Sequence, residues 1–173
     1  MSQFKAGIST LTIQNLVEIC EKDLSVELSK DAVQKVEKSA DHVDQIIKSG
    51  NVTYGINTGF GPLCSTVISK EDTSKLQDNI LRSHSVGVGE PIDPMLSKAM
   101  MVLKLHALSM GYSGVQKSTL ERIQFFINKN IIPVVPEKGS VGASGDLAPL
   151  AHLFLPLIGL GEVYYEGDRI PSA

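Results

Sequence analysis

The chain of 173 residues is the size of one ordinary globular domain, and 42% of its residues are apolar and 20% are charged. Sixteen Lys and Arg against nineteen Asp and Glu leave a formal net charge of −3. This composition excludes intrinsic disorder and provides no basic field for a phosphate backbone, so we expect no nucleic-acid partner. Two cysteines, Cys20 and Cys64, are too few for a disulfide framework and fit a reducing compartment.

The N-terminus lacks the basic stretch and apolar run of a secretory signal. The most hydrophobic window, Leu147–Leu160, is too short to span a bilayer and is interrupted by two prolines and a histidine. We therefore expect this window to be buried core, with no membrane contact, in a cytoplasmic protein.

Apolar residues at helical spacing predict five helices before residue 130. The predicted ranges are Thr12 onward, 30–49, 70–83, 94–111 and 117–128. Ser29 and Gly50 suit the two ends of the second helix. Asp93 followed by Pro94 suits the start of the fourth helix, and Gly111 suits its end.

Strand signals are short and weak. Extended structure is predicted for Val52–Tyr54 and Ile131–Val135, and a hairpin for Glu162–Ile170 with its turn at Gly167 and Asp168. The predicted fold class is therefore mainly α with a few short strands.

Glycine is concentrated in three loops, 54–61, 87–91 and 139–145, where positive φ angles and close backbone contacts are possible. Turn chemistry alone would explain this concentration. The loop at 139–145 has no Lys-Ser or Lys-Thr pair for a phosphate, and residues 87–89 lack the third glycine of a dinucleotide-binding turn. The glycines therefore indicate neither kind of nucleotide site.

Two further kinds of active site are disfavoured. A serine hydrolase elbow needs glycine two residues after its serine, but Asp146 stands in that position after Ser144. No base and acid partners have recognisable triad spacing, so a hydrolase is a remote alternative. No two of the four histidines have zinc-ligand spacing, and we expect no metal.

The tripeptide Ala143-Ser144-Gly145 has the composition needed for a reaction of the main chain with itself. If the Gly145 nitrogen attacks the Ala143 carbonyl carbon, a five-membered ring closes. Loss of water from the ring, and of the Ser144 hydroxyl, leaves an imidazolone with an exocyclic methylene, which is an electrophile. The simpler alternative is that Ser144 caps the helix that follows.

Three segments together resemble the aromatic amino acid ammonia-lyases. Gly139–Ala151 resembles the family's prosthetic-group segment, Tyr54–Gly61 resembles the loop of its catalytic tyrosine, and Asn79–Pro91 resembles its substrate-contacting segment. The resemblance implies the N-terminal part of the fumarase/aspartase-like helical lyase fold. It also implies that residues 1–173 are the cofactor-bearing domain of a longer homotetrameric lyase, without its central helical bundle.

The resemblance also implies roles for individual residues. Tyr54 would be the catalytic base, and Ala143, Ser144 and Gly145 would form a methylidene-imidazolone autocatalytically, with no metal or diffusible cofactor. Backbone amides at the Gly145–Asp146–Leu147 junction would stabilise negative charge on the ring oxygen. Gly61 would support the tyrosine loop. The resemblance thus implies a site that includes Tyr54, Gly61, Ala143, Ser144, Gly145, Asp146 and Leu147.

The pair Ser83-His84 resembles the histidine-directed version of the family. Phenylalanine-directed relatives usually carry Phe-Leu there and tyrosine-directed ones His-Leu. An imidazole substrate needs a polar partner, whereas a phenyl ring prefers an apolar wall. The expected reaction is therefore elimination of ammonia from L-histidine to give trans-urocanate. A phenylalanine or tyrosine ammonia-lyase or an aminomutase relative is the alternative.

The fourth helix departs from the family pattern. Lys104 and His106 stand where relatives commonly have Arg and Asn, which puts any carboxylate role of Lys104 in doubt, and we interpret His106 as structural. We expect these 173 residues alone to be inactive and to self-associate. The alternative is a non-catalytic folding or interaction module in which Ser144 never cyclises.

Overall fold

The computed structural model describes residues 3–22, 24–61 and 64–173, without the side chains of residues 70, 71, 73, 74 and 144. The helices are α1 Ile13–Glu21, α2 Lys30–Ser49, α3 Lys70–His84, α4 Pro94–Leu108, α5 Lys117–Asn128 and α6 Leu147–Phe154. The strands are β1 Phe4–Ala6, β2 Val26–Leu28, β3 Val88–Pro91, β4 Ile132–Pro133, β5 Pro136–Lys138, β6 Glu162–Tyr165 and β7 Asp168–Pro171. Short 3₁₀ helices cover Gly142–Ser144 and Leu155–Ile158. The mainly helical fold class is confirmed.

Local capping fixes the ends of most helices. The Ser29 side chain accepts a hydrogen bond from the Ala32 nitrogen at the start of α2, and Gly50 ends that helix with φ 73°. Thr12 and Asn15 form a capping box before α1. The predicted bounds of α2 and α5 are confirmed, and α3 extends one residue beyond its predicted end.

The predicted end of α4 at Gly111 is wrong, because the helix stops at Leu108. The Ser109 hydroxyl donates to the Leu105 carbonyl oxygen at 2.6 Å. Gly111 then turns with φ 81° against α2, where a Cβ would lie 2.6 Å from the Cβ of Lys35. The helix therefore ends early because the chain must turn in contact with another helix.

The strands correct two predictions. Val52–Tyr54 is not a strand: the Asn57 side chain and the Thr53 carbonyl fold this segment into a turn. The hairpin is present, but its turn is Glu166-Gly167, with φ 53° and 92°, so that Asp168 pairs with Tyr165. Two positive φ angles are the requirement of the tight hairpin turn that matches strand twist.

Within the described ranges the strands form three small sheets, and each sheet includes a pairing between segments that are distant in sequence. Their orders are β1-β2, which is parallel, β3-β5, which is antiparallel, and β4-β6-β7. The predicted extended segment Ile131–Val135 contributes β4. Asn128 on α5 is hydrogen-bonded to β2 through its side-chain amide. The Asn128 Oδ1 accepts from the Val26 nitrogen and its Nδ2 donates to the Val26 oxygen, both at 2.9 Å.

Among the described residues, α4 and α5 contribute more buried side chains to the central core than the other helices do. The buried side chains are Met101, Val102 and Leu105 from α4, Leu120, Ile123, Phe126 and Ile127 from α5, Ile19 from α1 and Val36 from α2. The hydrophobic window Leu147–Leu160 also packs inward through Ala148, Ala151, Leu153 and Leu155, as predicted, although Leu147 itself is exposed. Within the described ranges, no helix combines the length and apolar character needed to cross a bilayer.

Truncation of the core should be costly at Leu105, which is 0% exposed. We expect Leu105→Ala to lower the free energy of unfolding by about 2–5 kcal/mol, through lost burial and the cavity left behind. Leu103→Ala is the matched control on the same helix, because Leu103 is 49% exposed. Urea unfolding of both variants tests this, and equal losses would contradict the assigned core.

Candidate functional site

The tripeptide Ala143-Ser144-Gly145 lies in a tight turn that leads into α6. A 3₁₀ helix covers Gly142–Ser144, and the Gly145 nitrogen donates to the Gly142 oxygen at 3.3 Å. Gly145 follows with φ 86° and Asp146 with φ 57°. Residues 141–143 and 145–147 are exposed, so the turn lies on the surface. The Ser144 side chain is not among the described ones.

The alternative that Ser144 caps α6 is wrong, because Asp146 occupies the N-cap position. The Asp146 carboxylate accepts a hydrogen bond from the Ser140 hydroxyl, which closes the loop across its base. Ser144 therefore lies in the turn before the helix and not at the helix end.

This turn fits the formation of an imidazolone from its own main chain. Among the described residues, no heavy atom beyond the local backbone and the adjacent residues lies within 4 Å of the position that a Cβ would take at Gly142 or Gly145. The backbone is already curled through the three residues that must close, and the order of small residue, β-hydroxyl and glycine meets the needs of the elimination. Asp146 and Leu147 place successive amides at the start of α6, where positive helix charge is concentrated.

Tyr54 lies in an exposed turn at the start of the 54–61 loop. Its side chain is 63% exposed, and its ring meets Phe60 edge-on with centroids 5.9 Å apart. Asn57, which is buried, holds the turn from inside: its Oδ1 accepts from the Thr53 nitrogen and its Nδ2 donates to the Asn51 oxygen, both at 2.8 Å.

Thr58 completes the support of this loop. It is buried, accepts from the Gly55 nitrogen at 3.4 Å and donates to the Gly59 oxygen at 3.0 Å. Gly61 has φ 55°, and its oxygen accepts from the Cys64 nitrogen at 3.1 Å. Sequence reasoning missed Asn57 and Thr58, although two polar residues inside a glycine-rich loop are a signal for internal hydrogen bonds.

Ser83 and His84 are joined at the C-terminal end of α3. The His84 Nδ1 lies 2.9 Å from the Ile80 oxygen and 3.0 Å from the Ser83 hydroxyl, which itself donates to the Ile80 oxygen. A carbonyl oxygen only accepts, so this contact assigns a proton to Nδ1. In the neutral ring, Nε2 is then the acceptor, and the half-buried side chain can offer it to a donor.

The segments 79–91 and 139–151 are brought together, because β3 pairs with β5 and α3 packs against α6. The Gly87 nitrogen also donates to the His152 Nε2 at 3.0 Å. The Tyr54 loop is instead shaped by hydrogen bonds among residues 51–68.

His106 is structural, as predicted. Its Nδ1 accepts from the Gly7 nitrogen at 3.1 Å, and its ring packs on Phe4 with centroids 5.7 Å apart, so it fastens the N-terminal segment to α4. Lys104 is half-buried on the same helix. Across the described ranges, no group of three or more His, Cys, Asp and Glu could hold a metal ion.

The stability of the fold should fall on mild acidification. Burial lowers the pKa of His106 and of His152 below 6.5, and both rings accept a backbone N–H in the neutral form. The unfolded chain therefore binds these protons at higher pH than the folded chain, so the free energy of unfolding decreases as pH falls through about 6.5. Unfolding at about pH 7.5 and about pH 5.5, above the range of ordinary carboxylates, measures the slope. The double variant His106→Gln/His152→Gln should flatten it, and an unchanged slope would contradict this assignment.

Comparison with known proteins agrees with this geometry. A family model described as aromatic amino acid lyase matches residues 11–173. The chain is 48% identical, over 94% of its length, to a histidine ammonia-lyase of Caldanaerobacter subterraneus subsp. tengcongensis, of which it covers 32%. It thus spans about a third of the length of the curated relatives it matches.

Two solved structures extend the likeness to three dimensions. Histidine ammonia-lyase from Trypanosoma cruzi is 33% identical, with a TM-score of 0.89. The superposition includes 99% of this chain and 33% of that protein. Tyrosine aminomutase from Streptomyces globisporus is 32% identical with a TM-score of 0.91, and 99% of this chain covers 32% of it. From its sequence, its helical fold and the match over residues 11–173, the chain belongs to the aromatic amino acid lyase family.

Proposed function

We propose that residues 1–173 are the N-terminal, cofactor-bearing segment of a longer histidine ammonia-lyase, which eliminates ammonia from L-histidine to give trans-urocanate. The observation that carries the proposal is the pairing of β3 with β5, because it holds the Ser83-His84 end of α3 beside the segment of Ala143-Ser144-Gly145. The 48% identity to a named histidine ammonia-lyase supports the same substrate.

The prosthetic group proposed here is the methylidene-imidazolone that family members use, formed from Ala143, Ser144 and Gly145. When present, it supplies an electrophile, which the ordinary side chains do not provide. The Gly145 nitrogen becomes part of the ring, and the amides of Asp146 and Leu147 stabilise negative charge at the start of α6. No metal or diffusible cofactor is part of the proposal.

His84 and Tyr54 are the residues proposed to act on the substrate. The His84 Nε2 accepts a hydrogen bond from the imidazole N–H of histidine, with Ser83 holding the His84 ring in place. A phenyl ring has no such donor, so a site with this acceptor discriminates strongly against phenylalanine. Tyr54, exposed at the loop tip and supported by Gly61 at the loop's far end, takes the β-proton as general base.

An aminomutase or an ammonia-lyase for phenylalanine or tyrosine is the alternative. The structural likeness to tyrosine aminomutase is the observation in favour of this second candidate. The sequence identity to that protein is 32%, which is lower than the 48% identity to the histidine ammonia-lyase. Self-association is proposed from exposed apolar side chains near the site, among them Val86, Val88 and Val141. The homotetramer as the form of that assembly is proposed from the family resemblance alone. The two free cysteines suit the cytoplasm as the proposed location.

The proposal is tested with the full-length polypeptide that carries these residues, incubated with L-histidine, L-phenylalanine or L-tyrosine. We expect urocanate absorbance with histidine alone, and an intact mass lower by two waters. Cinnamate, coumarate or a β-amino acid as the main product would establish the alternative. The 173 residues alone should give no urocanate, and activity in them would contradict the need for the rest of the lyase.

A further inference from the structure

His152 makes a long-range contact that the proposed chemistry does not use. It lies in the last turn of α6, and its Nε2 accepts the Gly87 N–H at 3.0 Å across 65 positions of sequence. The ring is half-buried, and Gly87 is the residue just before β3. The His152 side chain is thus hydrogen-bonded to the backbone just after His84. His152 itself lies on α6, the helix that follows the Ala143–Gly145 turn.

The backbones meet closely around this ring. A Cβ at Gly87 would lie 3.1 Å from the His152 Cδ2 and Nε2 and 3.2 Å from the Lys138 oxygen. A Cβ at Gly139 would lie 3.0 Å from the Gly87 Cα and 3.3 Å from the Ala148 Cβ. Two glycines therefore cross at contact distance, and α6 supports the crossing through Ala148 and His152, which are neighbours one turn apart on the same helix face.

The crossing connects both parts of the candidate site. Gly87 follows His84 closely in sequence, and Gly139 precedes Ala143 by a similarly short stretch. Strand pairing of Val88 with Lys138 continues from the crossing. Strand pairing fixes the register of the two segments, whereas the His152 ring fixes how closely the first of them sits on α6.

We propose that His152 is a positioning residue, whose imidazole latches residues 84–91 onto α6 and so sets the spacing between His84 and the Ala143–Gly145 turn. Its effect on catalysis rests on the proposed function, whereas the latch itself does not. A purely structural histidine would affect stability alone, as His106 is expected to do from its equivalent bond to Gly7.

Three variants separate these roles. His152→Leu removes the acceptor at similar size, His152→Gln retains a carbonyl oxygen near the position of Nε2, and His106→Leu is the matched control. In the full-length enzyme, His152→Leu should lower kcat for histidine by about 10- to 100-fold, the usual cost of a small misplacement in a site. His152→Gln should restore most of the wild-type kcat, and His106→Leu should lose stability with kcat unchanged. If His152→Leu is insoluble, His152→Asn replaces it, since its amide is too short to reach Gly87.

The latch is also measured without catalysis, by hydrogen exchange of the Gly87 amide. Exchange should be at least about tenfold faster in His152→Leu than in the wild type or in His152→Gln, because the amide loses its partner. An unchanged exchange rate overturns the latch, even where the wild type makes no urocanate and the proposed function has failed. A wild-type kcat in His152→Leu, a failure of His152→Gln to restore kcat, or an equal loss in His106→Leu overturns the positioning role.

Discussion

Ser144→Ala in the full-length enzyme should abolish the imidazolone absorbance and lower kcat by at least about 10³-fold, a small part of the rate enhancement that enzymes reach. The reason is chemical, because alanine has no β-hydroxyl to eliminate and cannot provide the exocyclic methylene. The turn should keep its shape, since Ser144 lies before the Asp146 N-cap and is not itself the cap of α6.

Absorbance, intact mass and steady-state kinetics check this result together. The wild-type protein should be lighter than its linear sequence by two waters, and the variant by one water at most, because it has no hydroxyl at position 144 to eliminate. Ser118→Ala, an exposed serine on α5, is the control and should retain both absorbance and kcat. Turnover at the wild-type rate in Ser144→Ala would overturn the proposed prosthetic group.

Tyr54→Phe should leave the absorbance intact and lower kcat by about 10²–10⁴-fold, the usual contribution of a positioned general base. Phenylalanine retains the ring and its edge-on contact with Phe60, so the change removes little besides the hydroxyl. The loop should be unaffected, because Asn57 and Thr58 hold it through backbone groups.

Single-turnover and steady-state rates with L-histidine measure the loss in Tyr54→Phe. Tyr112→Phe is the control, since Tyr112 is 90% exposed and lies between α4 and α5. A wild-type rate in Tyr54→Phe would show that a residue other than Tyr54 is the general base. Loss of the absorbance would show that Tyr54 acts in ring formation and not in the elimination.

The sequence predicts those helix ends that local groups determine. Ser29 and Gly50 act within one turn of α2, and both ends of that helix are correct. The end of α4 depends instead on the contact of Gly111 with Lys35, which no local pattern contains. The hairpin turn was displaced by one residue because Glu166 adopts a positive φ that propensity assigns to glycine or asparagine.

The sequence identifies the segments of the candidate site but not their connections. The composition of residues 143–145 indicates the ring chemistry, and the resemblance indicates Tyr54 and His84. The bond from Gly87 to His152 joins residues 65 apart, and only the folded chain brings them together. Ser144 was a reasonable helix cap by residue type, but the left-handed conformation of Asp146 moves the helix start beyond it.

Hydrogen bonds within the Tyr54 loop hold its backbone in shape. Its shape depends on Asn51, Thr53, Asn57 and Thr58, so a graft of residues 51–68 onto another lyase scaffold should bring the tyrosine in its present orientation. The other two loops cannot be exchanged singly, since a Cβ at Gly139 would meet the Gly87 backbone and a Cβ at Gly87 would meet His152 and the Lys138 oxygen. If the proposed roles hold, the 87–91 and 139–145 loops would have to be moved together in such chimaeras, whereas the proposed base Tyr54 could be transplanted with its own loop.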